Sequence, residues 1–192
     1  MSQGNVEMVG GVRTPVSVRR NTRRRSLDEQ ALVRFPALVR LLASGWSHLP
    51  PRSRLRRAFL SRFLRQACEA ANRRDFEVLL LALDPEVEYR IDDLGGLVPP
   101  DLYGVHRGHE GYLHVWEEAI EAMEDVSLDL EEVIDCGDRL LTTGHQTGHG
   151  RSSGIPVSQP LFQVLTLRRG LVVRQEDFAK REQALEAAGL RE

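Results

Sequence analysis

The spacing of apolar residues predicts two helices ahead of the first long strand. In residues 54–73 apolar positions recur every three or four residues, which is typical of a helix with one buried face. These positions are Leu55, Phe59, Phe63, Leu64, Ala67, Ala70 and Ala71. Asp75 can cap a second helix over residues 76–83, which Asp84 and Pro85 end.

A period of two then replaces the helical spacing and predicts a sheet. Val87, Tyr89 and Ile91 alternate with polar residues as in a half-buried strand. After a third helix that follows Gly108, four further strands and a short final helix are expected. They cover about residues 126–134, 139–148, 156–167, 171–179 and 182–188. This order predicts an α+β fold, with helices on one face of a curved sheet that encloses a cavity.

Two segments lie outside this pattern of helices and strands. Residues 92–107 are rich in Gly and Pro and predict a long loop, which is a candidate lid over the cavity. The N-terminal part predicts a disordered basic tail over residues 1–25 and an amphipathic helical extension over residues 26–54, in which Pro36 must bend or split the helix. Residues 55–192 then form the main domain.

Length and composition place the chain among soluble proteins with one domain and an appendage. The chain has 192 residues with 41% hydrophobic and 28% charged residues. Its longest apolar stretch, residues 78–83, is far shorter than the roughly 20 residues of a membrane-spanning helix, and no signal peptide opens it. A cytoplasmic location is therefore expected. Cys68 and Cys136 alone do not imply a disulfide framework.

Charge is distributed unevenly along the chain. Residues 1–60 hold 12 arginines and 3 acidic residues, a net charge of +9, whereas residues 61–192 carry a net charge of −11. A basic extension can bind nucleic acid or a membrane surface, or it can pack against its own acidic domain. Binding of nucleic acid is the weaker hypothesis for this chain.

Five short runs resemble the SnoaL-like branch of the nuclear-transport-factor-2-like superfamily and occur in the same order as in that family. They are residues 71–76 (ANRRDF), 84–89 (DPEVEY), 107–111 (RGHEG), 134–139 (IDCGDR) and 176–178 (EDF). The resemblance implies a cone-shaped, cystatin-like fold with three main helices on a curved, mostly antiparallel sheet. It also implies an apolar pocket for a small apolar or polycyclic molecule, no cofactor, and a homodimer formed through the outer face of the sheet.

The same resemblance limits the chemistry that can be carried over. Ketosteroid isomerase-like members hold their base and an oxyanion-binding acid at positions that match Ile91 and Gln163 here, so that chemistry is not expected. Epoxide hydrolase-like members use an Asp-Arg-Asp trio, of which Asp177 is matched but the other two positions are His145 and Thr147. A cyclase-like pair of Asp177 with an assisting His145 is the remaining possibility.

Strand alternation predicts where these residues lie. His145 and Thr147 share one face of a central strand, and residues of the neighbouring strands can face the same cavity. The candidate catalytic residues are therefore Asp177 and His145. The candidate pocket residues are Tyr89, Ile91, Trp116, Thr147, Gln163, Leu165 and Gln175. A buried structural network is the alternative interpretation of these polar groups.

No metal site is expected from the histidines. His145 and His149 would lie about 13 Å apart on one strand, and His109 and His114 lie on different sides of a helix. The leading hypothesis is a small-molecule-binding domain of unknown activity. The alternative is a cofactor-free polyketide cyclase, isomerase or epoxide-hydrolase-like enzyme that uses Asp177 and His145.

Overall fold

The computed structural model describes residues 11–16, 24–92, 94 and 98–190, which form a sheet with helices packed against it. In chain order the elements are β1 (Val12–Pro15), α1 (Leu27–Arg34), α2 (Pro36–Ser47), α3 (Arg54–Arg73), α4 (Phe76–Leu80), β2 (Leu83–Ile91), a short 3₁₀ helix (Pro100–Leu102), β3 (Gly104–Arg107), α5 (Gly108–Ala122), β4 (Met123–Asp135), β5 (Arg139–Gly150), β6 (Pro156–Arg168), β7 (Leu171–Phe178) and α6 (Arg181–Ala188). Within these described ranges, no helix combines the length and the apolar character needed to cross a membrane.

The strands form one sheet in the order β1-β4-β5-β6-β7-β2-β3. Neighbouring strands are antiparallel, except that β2 and β7 run parallel. The pairing of β4 with β5 shifts register between Glu124 and Ser127 and again between Leu130 and Glu132. Such irregularities bend a strand and let the sheet curve around side chains from the helices. The predicted α+β class, with a curved and mostly antiparallel sheet, is confirmed.

Helix α3 contributes one face to the core, as its periodicity predicts. Leu64, Ala70 and Ala71 of the predicted stripe are buried, and Leu60, which the prediction leaves out, is buried as well. Leu55 differs from the prediction, because it lies in the first turn of α3 with 72% of its surface exposed. The buried stripe therefore begins one turn later than the sequence pattern suggests.

The extension before α3 consists of two helices. Ser26 and Glu29 form the reciprocal cap that starts α1. Pro36 is the first residue of α2 and lacks the N–H that a continuous helix would need, so the predicted segment is split at this point. Helix α2 buries Ala43 and Trp46, and the Trp46 ring stacks on Phe59 of α3 at 5.2 Å between ring centres.

A buried arginine ties the extension to the sheet. The Arg56 guanidinium donates to both carboxylate oxygens of Asp135, from Nε at 2.6 Å and from Nη2 at 2.9 Å. Its Nη1 donates to the carbonyl oxygens of Ser47 and Leu49, at 3.3 and 2.9 Å. The guanidinium also lies 5.2 Å from the Trp46 ring centre. This one side chain therefore joins α2, α3 and the end of β4.

The predicted disordered tail over residues 1–25 requires a correction. Val12–Pro15 form β1, which pairs with the outer edge of β4 so that Val12 lies opposite Asp135. Residues 1–10 and 17–23 of that prediction lie outside the described residues. The backbone hydrogen-bond partners of β1 lie on β4, far away in the sequence, so the local pattern of this Gly- and Arg-rich segment does not predict the strand.

The predicted loop over residues 92–107 also holds more structure than expected. Its second half forms the short 3₁₀ helix and then β3, which pairs with β2 at the edge of the sheet. Leu94, Val98 and Leu102 are buried, with at most 6% of their surface exposed. Through these three buried side chains, the described part of the loop packs against the core.

Candidate functional site

Asp177 lies near the end of β7 with only 4% of its surface exposed. Its Oδ2 accepts a hydrogen bond from the Tyr89 hydroxyl at 2.7 Å. Its Oδ1 accepts from Gln163 Nε2 and from Gln175 Nε2, both at 3.0 Å. Three neutral donors therefore hold this carboxylate, and no cationic side chain of the described residues contacts it.

A second set of contacts holds the donors themselves. Tyr112 donates from its hydroxyl to Gln175 Oε1 at 3.1 Å, and Thr142 lies 3.5 Å from Gln163 Oε1. The rings of Tyr89 and Tyr112 are 4.9 Å apart. Each amide is thus oriented by the hydroxyl group behind it, which directs its NH₂ to Asp177.

Strand pairing explains why these residues meet. Gln175 and Asp177 are two residues apart on β7 and therefore share a face. The register places Gln163 of β6 opposite Asp177, and it places Tyr89 of β2 beside Gln175 in the parallel pair. Three neighbouring strands thus direct their polar side chains to one point inside the cone.

Burial raises the pKa of Asp177 from 3.8 to about 6, because the charged form loses its hydration. The hydrogen bonds from Tyr89, Gln175 and Gln163 act in the opposite direction and limit the rise. Burial, followed by the charge of Asp177, raises the pKa of Tyr89 well above 10, so its hydroxyl stays a donor. The carboxyl group can consequently exchange a proton near neutral pH.

Two cavities lie beside this network inside the cone. One has a volume of about 70 Å³ and is lined by apolar side chains of α3, α4 and β4 together with Thr142, Gln163 and Gln175. The other has a volume of about 40 Å³ and is lined by Asp177, Tyr89 and mostly apolar neighbours. Trp116, Leu128 and Gln163 belong to both walls, so these three side chains separate two compartments of one interior.

Buried loop residues close the smaller cavity. Leu94 and Val98 line it, and the Leu94 carbonyl accepts a hydrogen bond from Gln159 of β6. The indole Nε1 of Trp116 is buried and has no hydrogen-bond partner within the described residues. A mostly apolar cavity that also offers the Asp177 carboxylate, the Gln146 amide and the Trp116 N–H suits a molecule of mixed character.

Most of the predicted site residues occupy this region. Tyr89, Gln163 and Gln175 contact Asp177 directly, as described above. Trp116 and Leu165 line the larger cavity. Ile91 is completely buried in the core and lines neither cavity, so it supports the site only as packing.

The predicted pair of His145 with Asp177 is wrong. His145 lies on the opposite face of β5, with 46% of its side chain exposed, and its Nδ1 lies 2.9 Å from Glu131 Oε1. Thr147 shares that outward face, whereas the alternate residues Thr142 and Gln146 line the cavities. The Arg and Asp positions of an epoxide hydrolase-like trio therefore fall outside the cone.

The reason for this error lies in the burial of β5 on both faces. Leu140 and Leu141 are both fully buried, because α6 covers the outer face at this end of the strand. The apolar pattern therefore does not mark which face is inside. Tyr112, Thr142 and Gln146 are the site residues that sequence reasoning missed. Thr142 and Gln146 follow Leu140 at a period of two, but the neighbouring Leu141 is equally apolar and predicts the opposite face.

No metal centre is formed by the described residues, in which no group of three or more His, Cys, Asp and Glu side chains could hold an ion. Burial raises the pKa of Cys68, which lines the larger cavity, to about 12. This thiol is therefore protonated near neutral pH and is a poor nucleophile. The chemistry that the interior can perform rests on the Asp177 carboxyl group.

A sequence model of the SnoaL-like domain matches residues 64–175, and Asp177 lies two residues beyond this range. A search of curated proteins finds no significant match to the chain. Many solved structures share the fold, and three of them illustrate the likeness. A nuclear-transport-factor-2-like protein of unknown function from Burkholderia pseudomallei is 24% identical, with a TM-score of 0.54 over 65% of this chain and 93% of that one.

The second solved structure is TerC, co-crystallised with polyporic acid. It is 22% identical to the chain and has a TM-score of 0.55 over 67% of this chain and 96% of its own length. The third is a putative SnoaL-like polyketide cyclase from Jannaschia, which is 17% identical with a TM-score of 0.51 over 66% and 88% of the two chains. At these identities the likeness shows the cone-shaped fold alone.

Proposed function

Because the chain belongs to the SnoaL-like domain family, we propose that it binds a small, mostly apolar molecule inside the cone, with Asp177 as its polar contact. The observation that carries this proposal is a buried carboxylate on the wall of an apolar cavity without a cationic partner. Burying such a group costs folding free energy. A ligand that completes its hydrogen bonding would offset that cost.

The hydrogen bonds of Asp177 define what the ligand must offer. A carboxylate has about four acceptor positions, and Tyr89, Gln163 and Gln175 occupy three of them. The remaining position suits a hydroxyl or N–H donor of the ligand. The unused Trp116 Nε1 suits an acceptor oxygen such as a carbonyl. We therefore propose an apolar, ring-containing molecule that carries both groups.

Entry of such a molecule requires the interior to open. Ligand pockets for molecules of this kind usually hold about 300 Å³ or more, which exceeds both cavities. Leu94 and Val98 cover the smaller cavity, and Trp116 separates it from the larger one. We propose that these side chains withdraw when the ligand binds, so that the two compartments become one.

Acid–base catalysis without a cofactor is the second candidate function, and the raised pKa of Asp177 favours it. A group with a pKa of about 6 can take a proton from a substrate and return it near neutral pH. Cyclase, isomerase and epoxide-hydrolase-like reactions all need such a transfer. In this proposal Tyr89 and the two glutamines position the carboxyl group, and His145 has no part in the reaction.

Native mass spectrometry of protein purified from its source host tests the binding proposal. The wild type is compared with Asp177→Asn, which keeps the shape of the side chain, and with His145→Ala, whose side chain lies outside the cone. A co-purified molecule in the wild type and in His145→Ala, but not in Asp177→Asn, supports the proposal. Equal retention in all three proteins, or an empty cavity in all three, contradicts it.

The homodimer remains a prediction from the family resemblance, and the cytoplasmic location remains a prediction from the sequence pattern. Helix α6 covers Ile134, Leu141 and Val164 on the outer face of the sheet, so a partner would contact the part of that face around His145. Sedimentation of His145→Glu beside the wild type measures this directly. The dimer prediction requires the variant to dissociate more readily.

A further inference from the structure

The exposed large apolar side chains of the described residues are concentrated in the N-terminal extension and the first turn of α3. Nine such side chains are exposed, and six of them belong to residues 27–55. These six are Leu27, Phe35, Leu38, Leu41, Leu42 and Leu55. Scattered exposed apolar residues need no explanation, but a cluster of this kind marks a contact surface.

Three of these residues form one face of α2, here called the leucine face. Leu38, Leu41 and Leu42 are spaced by three and four residues and are 41%, 70% and 45% exposed. Ala43 and Trp46 lie on another side of the helix and are buried against the cone. The helix therefore has one apolar side in the core and a second that faces outward.

The position of α2 on the domain is fixed by a close contact. A side chain at Gly170, in the turn between β6 and β7, would come within 2.2 Å of the Ala43 carbonyl oxygen. The backbone of α2 thus rests directly on that turn. The leucine face cannot turn inward without breaking this contact and the burial of Trp46.

A cationic groove lies beside the leucine face. It has a volume of about 740 Å³ and runs between α2 and the β6–β7 turn. Arg40, Arg168 and Arg169 line it, and Leu41 belongs both to the groove and to the leucine face. Asp84 offers the groove an acidic side chain, which lies 3.5 Å from Arg168.

The surrounding chain adds positive charge to this surface. Residues 24–65 hold ten arginines and two acidic residues. Some of these arginines are paired, such as Arg56 with Asp135 and Arg62 with Asp28. Within the described part of the chain, no ion pair is formed by Arg34, Arg40, Arg52 or Arg54.

We propose that this side of the molecule docks on a membrane surface rich in anionic phospholipid. The leucine face enters the boundary between headgroups and acyl chains, and a lipid phosphate lies in the groove between Arg40 and Arg169. Apolar side chains flanked by arginines are the combination that such a surface retains. Docking on a membrane does not depend on the binding of a ligand inside the cone.

The distribution of charge and apolar area favours lipid over the other partners. Nucleic acid would engage the arginines but would leave the three leucines without an apolar contact. Residues 61–192 carry a net charge of −11, so an anionic surface repels the domain while it attracts the extension. The protein would therefore lie on the membrane with α2 toward the lipid.

Flotation with vesicles tests the proposal on the full chain. One set of vesicles contains phosphatidylcholine alone, and the other contains equal parts of phosphatidylcholine and phosphatidylglycerol. We expect the wild type to float with the second set only, and to be released as salt is raised. Replacement of Arg40 and Arg169 by Gln should lower the affinity by about fivefold for each arginine.

Two matched variants separate the leucine face from apolar exposure in general. The triple variant Leu38→Ser, Leu41→Ser and Leu42→Ser should lose at least about tenfold in affinity. Ile155→Ser removes a side chain that is 63% exposed in the turn between β5 and β6, and it should bind vesicles as the wild type does. All replaced side chains are exposed, so the fold should persist, which circular dichroism checks.

Four outcomes overturn the proposal. One is that the wild type floats with neither set of vesicles. Another is that vesicle binding is unchanged in the triple leucine variant. The third is that the triple variant changes only the sedimentation of the protein, which would assign the leucine face to contact between two copies. Tight, salt-dependent retention of duplex DNA without vesicle binding would assign the arginines to nucleic acid instead.

Discussion

Asp135 and Asp177 are both buried carboxylates on the same sheet, with 1% and 4% of their surface exposed. Asp135 receives two hydrogen bonds from the Arg56 guanidinium and a third from the Gly137 N–H at 3.0 Å. Asp177 receives three hydrogen bonds as well, but only from neutral donors. The two residues thus differ in charge compensation and not in the number of their hydrogen bonds.

This difference separates a structural joint from a group available for chemistry. The Arg56–Asp135 pair neutralises itself and holds α2, α3 and β4 together. Asp177 faces a cavity and has no cationic partner, so burial of its charge raises its pKa. A buried carboxylate without a cation is therefore a better guide to the candidate site than burial or hydrogen bonding alone.

The largest effect is expected when the joint is broken. Asp135→Ala leaves the Arg56 guanidinium buried without its counter-charge, and unfolding should require about 3–5 kcal/mol less free energy. Urea denaturation measures the loss. The double variant Arg56→Met with Asp135→Leu should regain much of the stability. If the free energy of unfolding of Asp135→Ala lies within about 1 kcal/mol of the wild-type value, the pair has no structural role.

Removal of the charge at Asp177 should instead raise the free energy of unfolding. The pKa of Asp177 is about 6 in the folded protein and near 3.8 when unfolded, so its ionisation destabilises the fold as pH rises through this window. Below 3.8 the group is neutral in both states and contributes no penalty. At about pH 8 Asp177→Asn should therefore be more stable than the wild type, by up to about 3 kcal/mol.

The pH dependence of that gain is the sharper observation. The difference between Asp177→Asn and the wild type should shrink toward zero at about pH 4, where Asp177 is protonated. Asp92→Asn is the control, since Asp92 is half exposed beside Arg90. A destabilised Asp177→Asn variant at about pH 8 would show that the carboxylate is compensated after all.

Loss of one neutral hydrogen-bond donor to Asp177 should have a smaller effect on the free energy of unfolding, and it should raise the pKa of Asp177. Tyr89→Phe removes the hydrogen bond to Oδ2 that lowers the pKa of Asp177, so this pKa should rise above its wild-type value. The free energy of unfolding should fall by about 1 kcal/mol. Tyr112→Phe is the graded comparison: it removes the hydrogen bond that orients Gln175 but no bond to the carboxylate itself, so the pKa of Asp177 should change less than in Tyr89→Phe. Carboxyl NMR resonances report both variants, and an unchanged pKa in Tyr89→Phe would contradict the network.

The smallest effect is expected at His145. Its pairing with Glu131 is exposed to solvent, so His145→Ala should change the free energy of unfolding by less than about 0.5 kcal/mol. The variant should also retain any molecule bound inside the cone. If His145→Ala loses the bound molecule as Asp177→Asn does, His145 and Asp177 act together, contrary to their separation in the structure.

The fold follows from the sequence because local signals agree with one another. The cap at Ser26, the break at Pro36 and the alternation in Tyr89 and Ile91 all correspond to observed element ends or faces. Strand β1 could not be predicted in this way. It is short, lies in a Gly- and Arg-rich segment, and depends on pairing with Asp135, which is distant in the chain.

The candidate site could be predicted only where the strand faces are unambiguous. Gln175 and Asp177 share a face on β7, so Gln163 and Tyr89 on its two neighbours were correctly grouped with them. On β5 the same reasoning failed for His145, because apolar residues occupy both faces of that strand. Charge compensation is not visible in the sequence at all, since Arg56 and Asp135 meet only in the fold.

Direct titration of the Asp177 carboxyl group tests the central claim. Its ¹³C resonance is assigned by its absence from Asp177→Asn and is followed from about pH 3 to about pH 9. We expect a midpoint near 6, and a shift of that midpoint when a molecule binds in the cone. A midpoint at or below the ordinary value of 3.8 would show that the carboxylate is charge-compensated, and would leave the interior without its acid–base group.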